Sequence, residues 1–294
     1  MTRNQTKPTR IAIVVAVLAI AVFAGCAAKK SLWGDPETGL ILQYRMQEDQ
    51  TLQYEISNVA TQTMEVGGNS IDVDMSEFNR FSVQSKGLED SKHQLSIVLD
   101  SVYVGIGTPG GLLSPDMSSV EGKGFDMTLS VLGQEGELAG AEAIEYSLGG
   151  GGTRNVSASF QALFLNLPGK PLKVGDSWAT QDTISESGST GETTLTFDTT
   201  NTLAGYETVD GFECAKITGV FTGTLSGSGN EGGMDLTYDG VLEGTGTTYF
   251  AYKKGLLIRT TGTGTADATI SGSGPQEITI PMKREYTMET RLVR

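Results

Sequence analysis

Few side chains in this sequence could carry out covalent chemistry. The 294 residues include two cysteines, Cys26 and Cys214, and one histidine, His93. A zinc site of the usual histidine-rich kind is excluded, and a Ser-His-Asp triad would have to use His93. Because His93 follows the polar residues 89–92, we expect it in a surface turn that leads into a strand. The sequence predicts a protein that is not an enzyme and that holds neither a metal nor a cofactor.

Cys26 ends a segment that has the layout of an export signal. Arg3, Lys7 and Arg10 give the segment a positive start, and residues 11–24 form an almost purely apolar run. This run is shorter than the roughly 20 residues that a helix needs to cross a bilayer. We therefore expect a signal peptide rather than a permanent membrane span.

Residues 23–26, Phe-Ala-Gly-Cys, resemble the lipobox of bacterial lipoproteins, in which small residues precede a cysteine. The resemblance implies that Cys26 is lipidated, becomes the new N-terminus and holds the protein on a membrane. Phe23 stands where that motif usually has Leu. The alternative is an ordinary secretory signal cleaved near Ala24 or Ala28, which would release a soluble protein.

The chain is acidic, with a formal net charge of −14. This charge argues against nucleic acid and anionic lipid headgroups as electrostatic partners. The expected partners are the membrane, through the N-terminal lipid, and an apolar small molecule or lipid. Ala27 follows Cys26, so the acidic inner-membrane retention signal of some lipoproteins is missing. We expect an exported protein, lipid-anchored to the cell envelope, and on the outer membrane if the source has two membranes.

The body of the chain is predicted to be all-β with minor α structure. Apolar and polar residues alternate over many short runs, a pattern typical of strands with one buried face. The clearest run, residues 256–270, would span about 50 Å at roughly 3.3 Å per residue. A strand of that length belongs to a large, strongly curved antiparallel sheet or half-barrel.

The chain divides into four parts. Residues 1–25 are the signal peptide and residues 26–37 a polar tether. Residues 38–166 form an N-terminal β half that ends in a short helix, and residues 167–294 form a C-terminal β half. A weak likeness between the two halves suggests a duplication.

Strands in the C-terminal half alternate glycine with large side chains, which indicates a sheet that bends tightly around something. We expect Asn155 to cap a helix over residues 155–165 whose phenylalanines, Phe160 and Phe164, face this sheet. Either these rings fill the trough, or the trough stays partly open and binds an apolar ligand. The predicted trough residues are Phe221, Gly223, Leu225, Gly244, Gly246, Gly262, Gly264 and Ala266.

Residues 170–178, Lys-Pro-Leu-Lys-Val-Gly-Asp-Ser-Trp, resemble a motif of a family of uncharacterised bacterial envelope lipoproteins. In that family a Pro-x-x-Val-Gly-Asp-x-Trp segment begins a strand after a short helix. The resemblance implies an all-β, half-barrel-like body similar to envelope lipoprotein carriers, with no catalytic residues. From the residues themselves, Gly175 and Asp176 form a turn and Trp178 anchors the core.

Three functions remain open. The first is a non-enzymatic lipoprotein that binds an apolar ligand or lipid in the trough. The second is a structural or protein-binding surface lipoprotein with a filled core, which uses threonine-rich strand faces such as Thr261, Thr263 and Thr265. The third and most remote is a hydrolase built on two carboxylates, because the chain has 35 acidic residues.

The lipid anchor generates the first prediction. Replacing Cys26 by serine removes the thiol that would carry the lipid, so Cys26→Ser should move the protein from the membrane to the soluble fraction. Cys214→Ser is the matched control and should leave the protein on the membrane. Unchanged membrane fractionation of Cys26→Ser would contradict the lipobox interpretation.

Overall fold

The chain, seen in a computed structural model, is described over residues 33–148, 152–274 and 277–293. Cys26, the signal peptide and most of the predicted tether lie outside these ranges. Within these ranges the regular structure is strand apart from two 3-10 turns, Ala141–Ala143 and Ser157–Phe160. No helix of the described residues is long and apolar enough to span a membrane. The strands are β1 (Gly34–Asp35), β2 (Gly39–Leu40), β3 (Thr51–Val66), β4 (Asn69–Glu89), β5 (Lys92–Thr108), β6 (Gly111–Leu113), β7 (Gly124–Ser130), β8 (Glu135–Ala139), β9 (Glu145–Ser147), β10 (Thr153–Asn155), β11 (Ser177–Gly188), β12 (Gly191–Val209), β13 (Phe212–Glu231), β14 (Met234–Ala251), β15 (Leu256–Ser273) and β16 (Ile278–Leu292).

All strands except β1 and β2 belong to a single 14-stranded sheet. Its order is β8, β7, β5, β4, β3, β16, β15, β14, β13, β12, β11, β10 and β9, with β6 paired to β5. The sheet is antiparallel and forms an open half-barrel, which confirms the predicted fold class. The long alternating run at 256–270 lies within β15, which has 18 residues.

The two predicted halves of the chain meet inside this sheet. β3 and β16 pair over eleven positions, from Tyr54 opposite Leu292 to Met64 opposite Met282. At the edge of the sheet beyond β11, the last two strands are β10 and β9, and both come from the N-terminal half. The edge strands β8 and β9 are therefore neighbours in sequence, separated only by the turn at Ala141–Ala143.

One face of the sheet carries the core, and we call it the inner face. Tyr54, Phe81 and Phe250 on this face are 1%, 0% and 0% exposed. Since successive residues of a strand point to opposite faces, every second residue of each long strand lies on the inner face. We call the strand ends near Tyr54 proximal and those near Ile278 distal.

Two segments outside the sheet cover the proximal inner face, and we call them together the plug (residues 40–46 and 156–167). The first segment alternates buried and less buried residues, but beyond Leu40 it is extended chain outside the sheet. Its Tyr44 ring packs edge-on against Phe250, with ring centroids 5.1 Å apart. The hydroxyl of Tyr44 donates to the carbonyl oxygen of Leu165, 3.2 Å away, which ties the two plug segments together.

The second plug segment contributes two phenylalanines to the same core. Phe160 lies edge-on between Phe81 and Phe125, with centroid distances of 5.0 Å and 4.9 Å. Phe164 packs edge-on against Tyr44 at 5.5 Å. Such aromatic pairs stabilise by about 0.5–1.5 kcal/mol beyond the burial of their surface.

The helix predicted over residues 155–165 is reduced to the 3-10 turn at Ser157–Phe160. Asn155 lies in β10, and its Oδ1 accepts a hydrogen bond from the backbone N–H of Ser157 at 3.0 Å. Ala162 has a φ of 59°, a left-handed conformation that ends helical structure. The phenylalanines therefore project from an irregular segment onto the proximal core, and they do not fill the glycine-rich strands.

The prediction of a surface histidine is wrong, because His93 is only 3% exposed. Its Nε2 lies 3.1 Å from the carbonyl oxygen of Tyr44. His93 shares the inner face of β5 with Leu95 and Ile97. The alternation of buried and exposed residues in β5 therefore already includes His93, although the polar residues before it suggest a turn. The polar turn itself is confined to Asp90 and Ser91.

A buried carboxylate on the opposite, outer face fastens the junction of the two halves. Glu55 of β3 is 4% exposed and lies between Arg80 of β4 and Arg291 of β16. Arg80 Nε donates to Oε1 at 2.8 Å, and Arg291 Nε donates to Oε2 at 2.7 Å. Burial alone raises the pKa of Glu55, but the hydrogen bonds from both guanidinium groups outweigh it and hold the pKa below its ordinary value.

Removing this charge should destabilise the sheet. We expect Glu55→Gln to lower the free energy of unfolding by about 2 kcal/mol at pH 7, because two half-exposed arginines lose their shared partner. The loss should disappear in acid, since the Glu55 contribution exists above its ordinary pKa and fades as the pH falls through the depressed value. Denaturant titrations at pH 7 and in acid measure this loss of unfolding free energy. Glu207→Gln, which breaks the exposed pair with Lys216, is the control and should lower the free energy of unfolding clearly less than Glu55→Gln does, because exposed ion pairs contribute little; equal losses would contradict the prediction.

Candidate functional site

The glycine-rich strands carry a row of residues that cross the inner face side by side. Phe221, Gly244, Gly264 and Tyr286 occupy matching positions on β13, β14, β15 and β16. A Cβ atom added to Gly244 would collide with the Phe221 ring, and one added to Gly264 would lie 2.6 Å from Cζ of Tyr286. The two rings therefore lie over glycine backbone, which is how aromatic residues compensate for glycine in a sheet.

The sequence-predicted trough residues all lie on the inner face, in neighbouring rows of β13, β14 and β15. Gly246 pairs with Gly262, and Ala266 lies two strands from Gly223 in the same row. The prediction missed the residues that the neighbouring strands add to this surface. Phe197 and Tyr286 belong to β12 and β16, so their placement beside the glycines depends on the register between strands. The alternation of apolar and polar residues over residues 278–292 is the sequence signal that could have found Tyr286.

Exposure of the inner face changes along the strands. At the proximal end Phe250 and Ile217 are 0% and 1% exposed, beneath the plug. Farther out, Leu236 and Leu242 are still buried, but most of the other apolar side chains are partly exposed, and all of these lie outside the core cluster. We call this surface the distal inner face, formed by Phe197, Phe221, Leu225, Tyr238, Met282 and Tyr286.

A second surface feature lies on the outer face of the same strands. It is an open depression of about 760 Å³, lined mainly by outer-face residues such as Val59, Thr222, Thr245 and Thr263. Val59 is 56% exposed, and Val220 in the same depression is 59% exposed. The threonine-rich face thus offers exposed apolar side chains among hydroxyl groups.

Two carboxylates meet the second plug segment in a cleft of about 490 Å³. Glu135 Oε1 accepts a hydrogen bond of 2.6 Å from the backbone N–H of Phe164. Asp182 Oδ1 accepts a hydrogen bond of 2.6 Å from Nδ2 of Asn166. The carbonyl oxygen of Asn166 in turn accepts the indole N–H of Trp178 at 2.9 Å, so the predicted core anchor also fixes the plug.

Burial changes the titration of both carboxyl groups. Burial, together with the nearby charge of Asp182, raises the pKa of Glu135 to about 7. Burial also raises the pKa of Asp182, although the hydrogen bond from Asn166 lowers it in part. Glu135 lies on β8 and Asp182 lies on β11, and these two strands face each other across the opening of the half-barrel. The two acids therefore hold the plug between these strands.

The remaining sequence candidates carry no visible chemistry. Cys214 is a buried free cysteine, and burial raises the pKa of its thiol to about 11, which keeps it protonated at neutral pH. Over the residues that the structure describes, no group of three or more histidine, cysteine or acidic side chains could hold a metal ion. Cys26, the predicted lipid attachment site, lies outside the described residues.

Glu135 makes the stability of the protein depend on pH. Because its folded-state pKa lies above its ordinary value of 4.5, the favourable contribution of the protonated form is complete below about pH 4.5 and is lost as the pH rises to about 7. Glu135→Gln keeps an acceptor for the Phe164 N–H without the charge. We expect this variant to gain about 2 kcal/mol of unfolding free energy over the parent at pH 8 and much less at pH 4.5. Thermal or denaturant unfolding at both pH values measures the gain. Glu137→Gln, at an exposed position of the same strand, should give curves parallel to the parent; the same result for Glu135→Gln would refute the assignment.

No family model and no curated protein match this chain. Among solved structures, three overlap with most of its length. An outer membrane channel from Pseudomonas putida F1 is 11% identical, with 85% of this chain and 97% of that chain covered and a TM-score of 0.27. A putative exported protein with a YmcC-like fold from Bacteroides fragilis is 10% identical, with 86% and 98% covered and a TM-score of 0.24. The hypothetical lipoprotein YmcC from Escherichia coli is 12% identical, with 77% and 85% covered and a TM-score of 0.21. At these TM-scores the overlap transfers no function to this chain.

Proposed function

We propose that this protein is a non-enzymatic lipoprotein of the bacterial cell envelope that binds an apolar ligand or lipid on its distal inner face. The signal peptide and Cys26 supply the export and the membrane anchor. The observation that carries the proposal is the change in coverage along the inner face, which is closed by the plug at the proximal end and partly exposed beyond Phe221 and Tyr286.

Apolar surface exposed to water is unfavourable unless something covers it. Burial of apolar surface stabilises by roughly 25 cal/mol per Å², and soluble proteins seldom expose large contiguous apolar patches without a use for them. The distal inner face joins aromatic, aliphatic and methionine side chains from four strands on one curved surface. Methionine adapts its shape to its neighbours, which suits a surface that receives acyl chains of varied length.

The alternative is a structural or protein-binding surface lipoprotein. The outer-face depression with Val59 and Val220 favours it, because exposed valines among threonines form a surface that another protein could cover. The remote alternative, a carboxylate-pair hydrolase, has its best-placed pair among the described residues in Glu135 and Asp182. Both carboxylates are hydrogen-bonded to the plug, which supports a structural role for them.

Ligand uptake by the mature domain tests the proposal. Native mass spectrometry of the chain from residue 27 onward, with fatty acids and lysolipids added, should detect bound ligand. Leu225→Glu places a charge on the distal inner face and should reduce uptake about tenfold or more, because a buried unpaired carboxylate opposes an apolar ligand.

Ser226→Glu is the matched control, since it adds the same charge one residue away on the exposed outer face. This variant should take up ligand like the parent. An apo mass under all conditions would remove the proposal and leave the protein-binding alternative.

A further inference from the structure

One arginine interrupts the apolar inner face. Arg284 of β16 pairs in register with Ala266 of β15 on one side and with Gln62 of β3 on the other. It shares its face with Met282 and Tyr286, two residues of the distal inner face. The alternation of β16 therefore places a permanent positive charge in the middle of this surface.

Arg284 lacks a partner within the described residues. Its Nε is buried and makes no hydrogen bond. The other arginines that reach a carboxylate, Arg80, Arg154, Arg259 and Arg291, each do so within 4.0 Å, whereas Arg284 forms no ion pair. The acids that share the inner face do not reach it, and Glu186 among them is occupied by Arg154.

An unpaired guanidinium in such a position does not help the fold. Its buried Nε–H has lost contact with water without gaining an acceptor, and an unmade hydrogen bond of a buried donor is unfavourable. Leucine or methionine at this position would continue the apolar surface without that cost. A bound anion would supply the missing partner, and the guanidinium fork matches a carboxylate through two parallel hydrogen bonds.

The surface beside Arg284 has the length that an acyl chain needs. The inner positions of β16 from Arg284 to the distal end are Met282, Ile280 and Ile278, all partly exposed. At about 3.3 Å per residue, this apolar track extends for roughly 20 Å. Ala268 and Ile270 of β15 lie beside it.

We infer that the ligand is a fatty acid anion, whose carboxylate pairs with Arg284 while its acyl chain lies along the apolar track of β16. This inference rests on the proposed function, because it assigns a ligand class to the distal inner face. The acidic net charge of the chain does not oppose it, since the contact is made by one local cation rather than by the overall field.

The test compares two probes with the same chain and different heads, laurate and dodecanol, at pH 8. Affinities of the mature domain for both should be measured by native mass spectrometry and by calorimetry. The parent should bind laurate about tenfold or more tightly than dodecanol, because a hydrogen-bonded charge contributes more than a neutral hydroxyl. Arg284→Gln should lose this preference and bind dodecanol as before.

Lys283→Gln is the matched control. It removes the same charge from the adjacent residue, whose side chain is 83% exposed on the outer face, and it should keep the preference for laurate. Arg284→Met serves as a second variant, and neither Arg284 variant should lower the melting temperature of the ligand-free domain. A fall in melting temperature for both would assign Arg284 to the fold and overturn the inference.

The remaining outcomes are separable. Equal binding of laurate and dodecanol by the parent, or a preference that survives in Arg284→Gln, overturns the role of Arg284 and leaves the apolar site intact. Failure of the parent to bind either probe overturns the proposed function and this inference with it.

Discussion

The contact between the plug and the proximal inner face is the interaction on which the rest of the structure depends. A single curved sheet has no second layer of its own, so its apolar face must be covered by chain that leaves the sheet. Tyr44 and Phe164 provide this cover by packing on each other and on the sheet. The hydrogen bond from Tyr44 to Leu165 joins the two segments, so neither covers the core independently.

Polar groups hold the plug and the sheet at the places where strand pairing alone does not. Glu55 joins the two halves of the chain at the β3–β16 pair through two arginines. Glu135 and Asp182 hold the second plug segment from opposite sides of the opening. Glu55 and Glu135 have opposite pKa shifts because burial raises the pKa of both, and two arginine partners outweigh burial at Glu55, whereas Glu135 has no cation as a partner and has the charge of Asp182 nearby.

The plug is too short to cover the whole inner face, and this shortfall creates the candidate site. Long strands carry the apolar alternation well beyond the reach of Phe160 and Phe164. In that distal region the protein covers its own glycines with Phe221 and Tyr286, and most of the other apolar side chains stay partly exposed. Arg284 is the arginine on this surface that forms no ion pair within the described residues, which makes it the position where a polar ligand head would be recognised.

The sequence by itself determined the all-β class, the long strands and the face on which the trough residues lie, because alternation with period two is a local property of the chain. It also determined the turn at Gly175 and the burial of Trp178. If the alternation of β5 is extended by one residue toward the start of the strand, His93 falls on the core face. If the alternation of β16 is followed without a gap, Arg284 falls among the apolar residues.

Only the tertiary structure decided which strands are neighbours, since register between distant strands leaves no trace in either strand alone. It also decided that the segment at 155–165 is mostly irregular, because Ala162 adopts a left-handed conformation that helix propensity does not foresee. The question that the sequence left open, whether the phenylalanines fill the glycine trough, was decided by distance along the strands. The plug reaches the proximal core and stops there, because Tyr44 ties its two segments together and Glu135 and Asp182 hold the second segment.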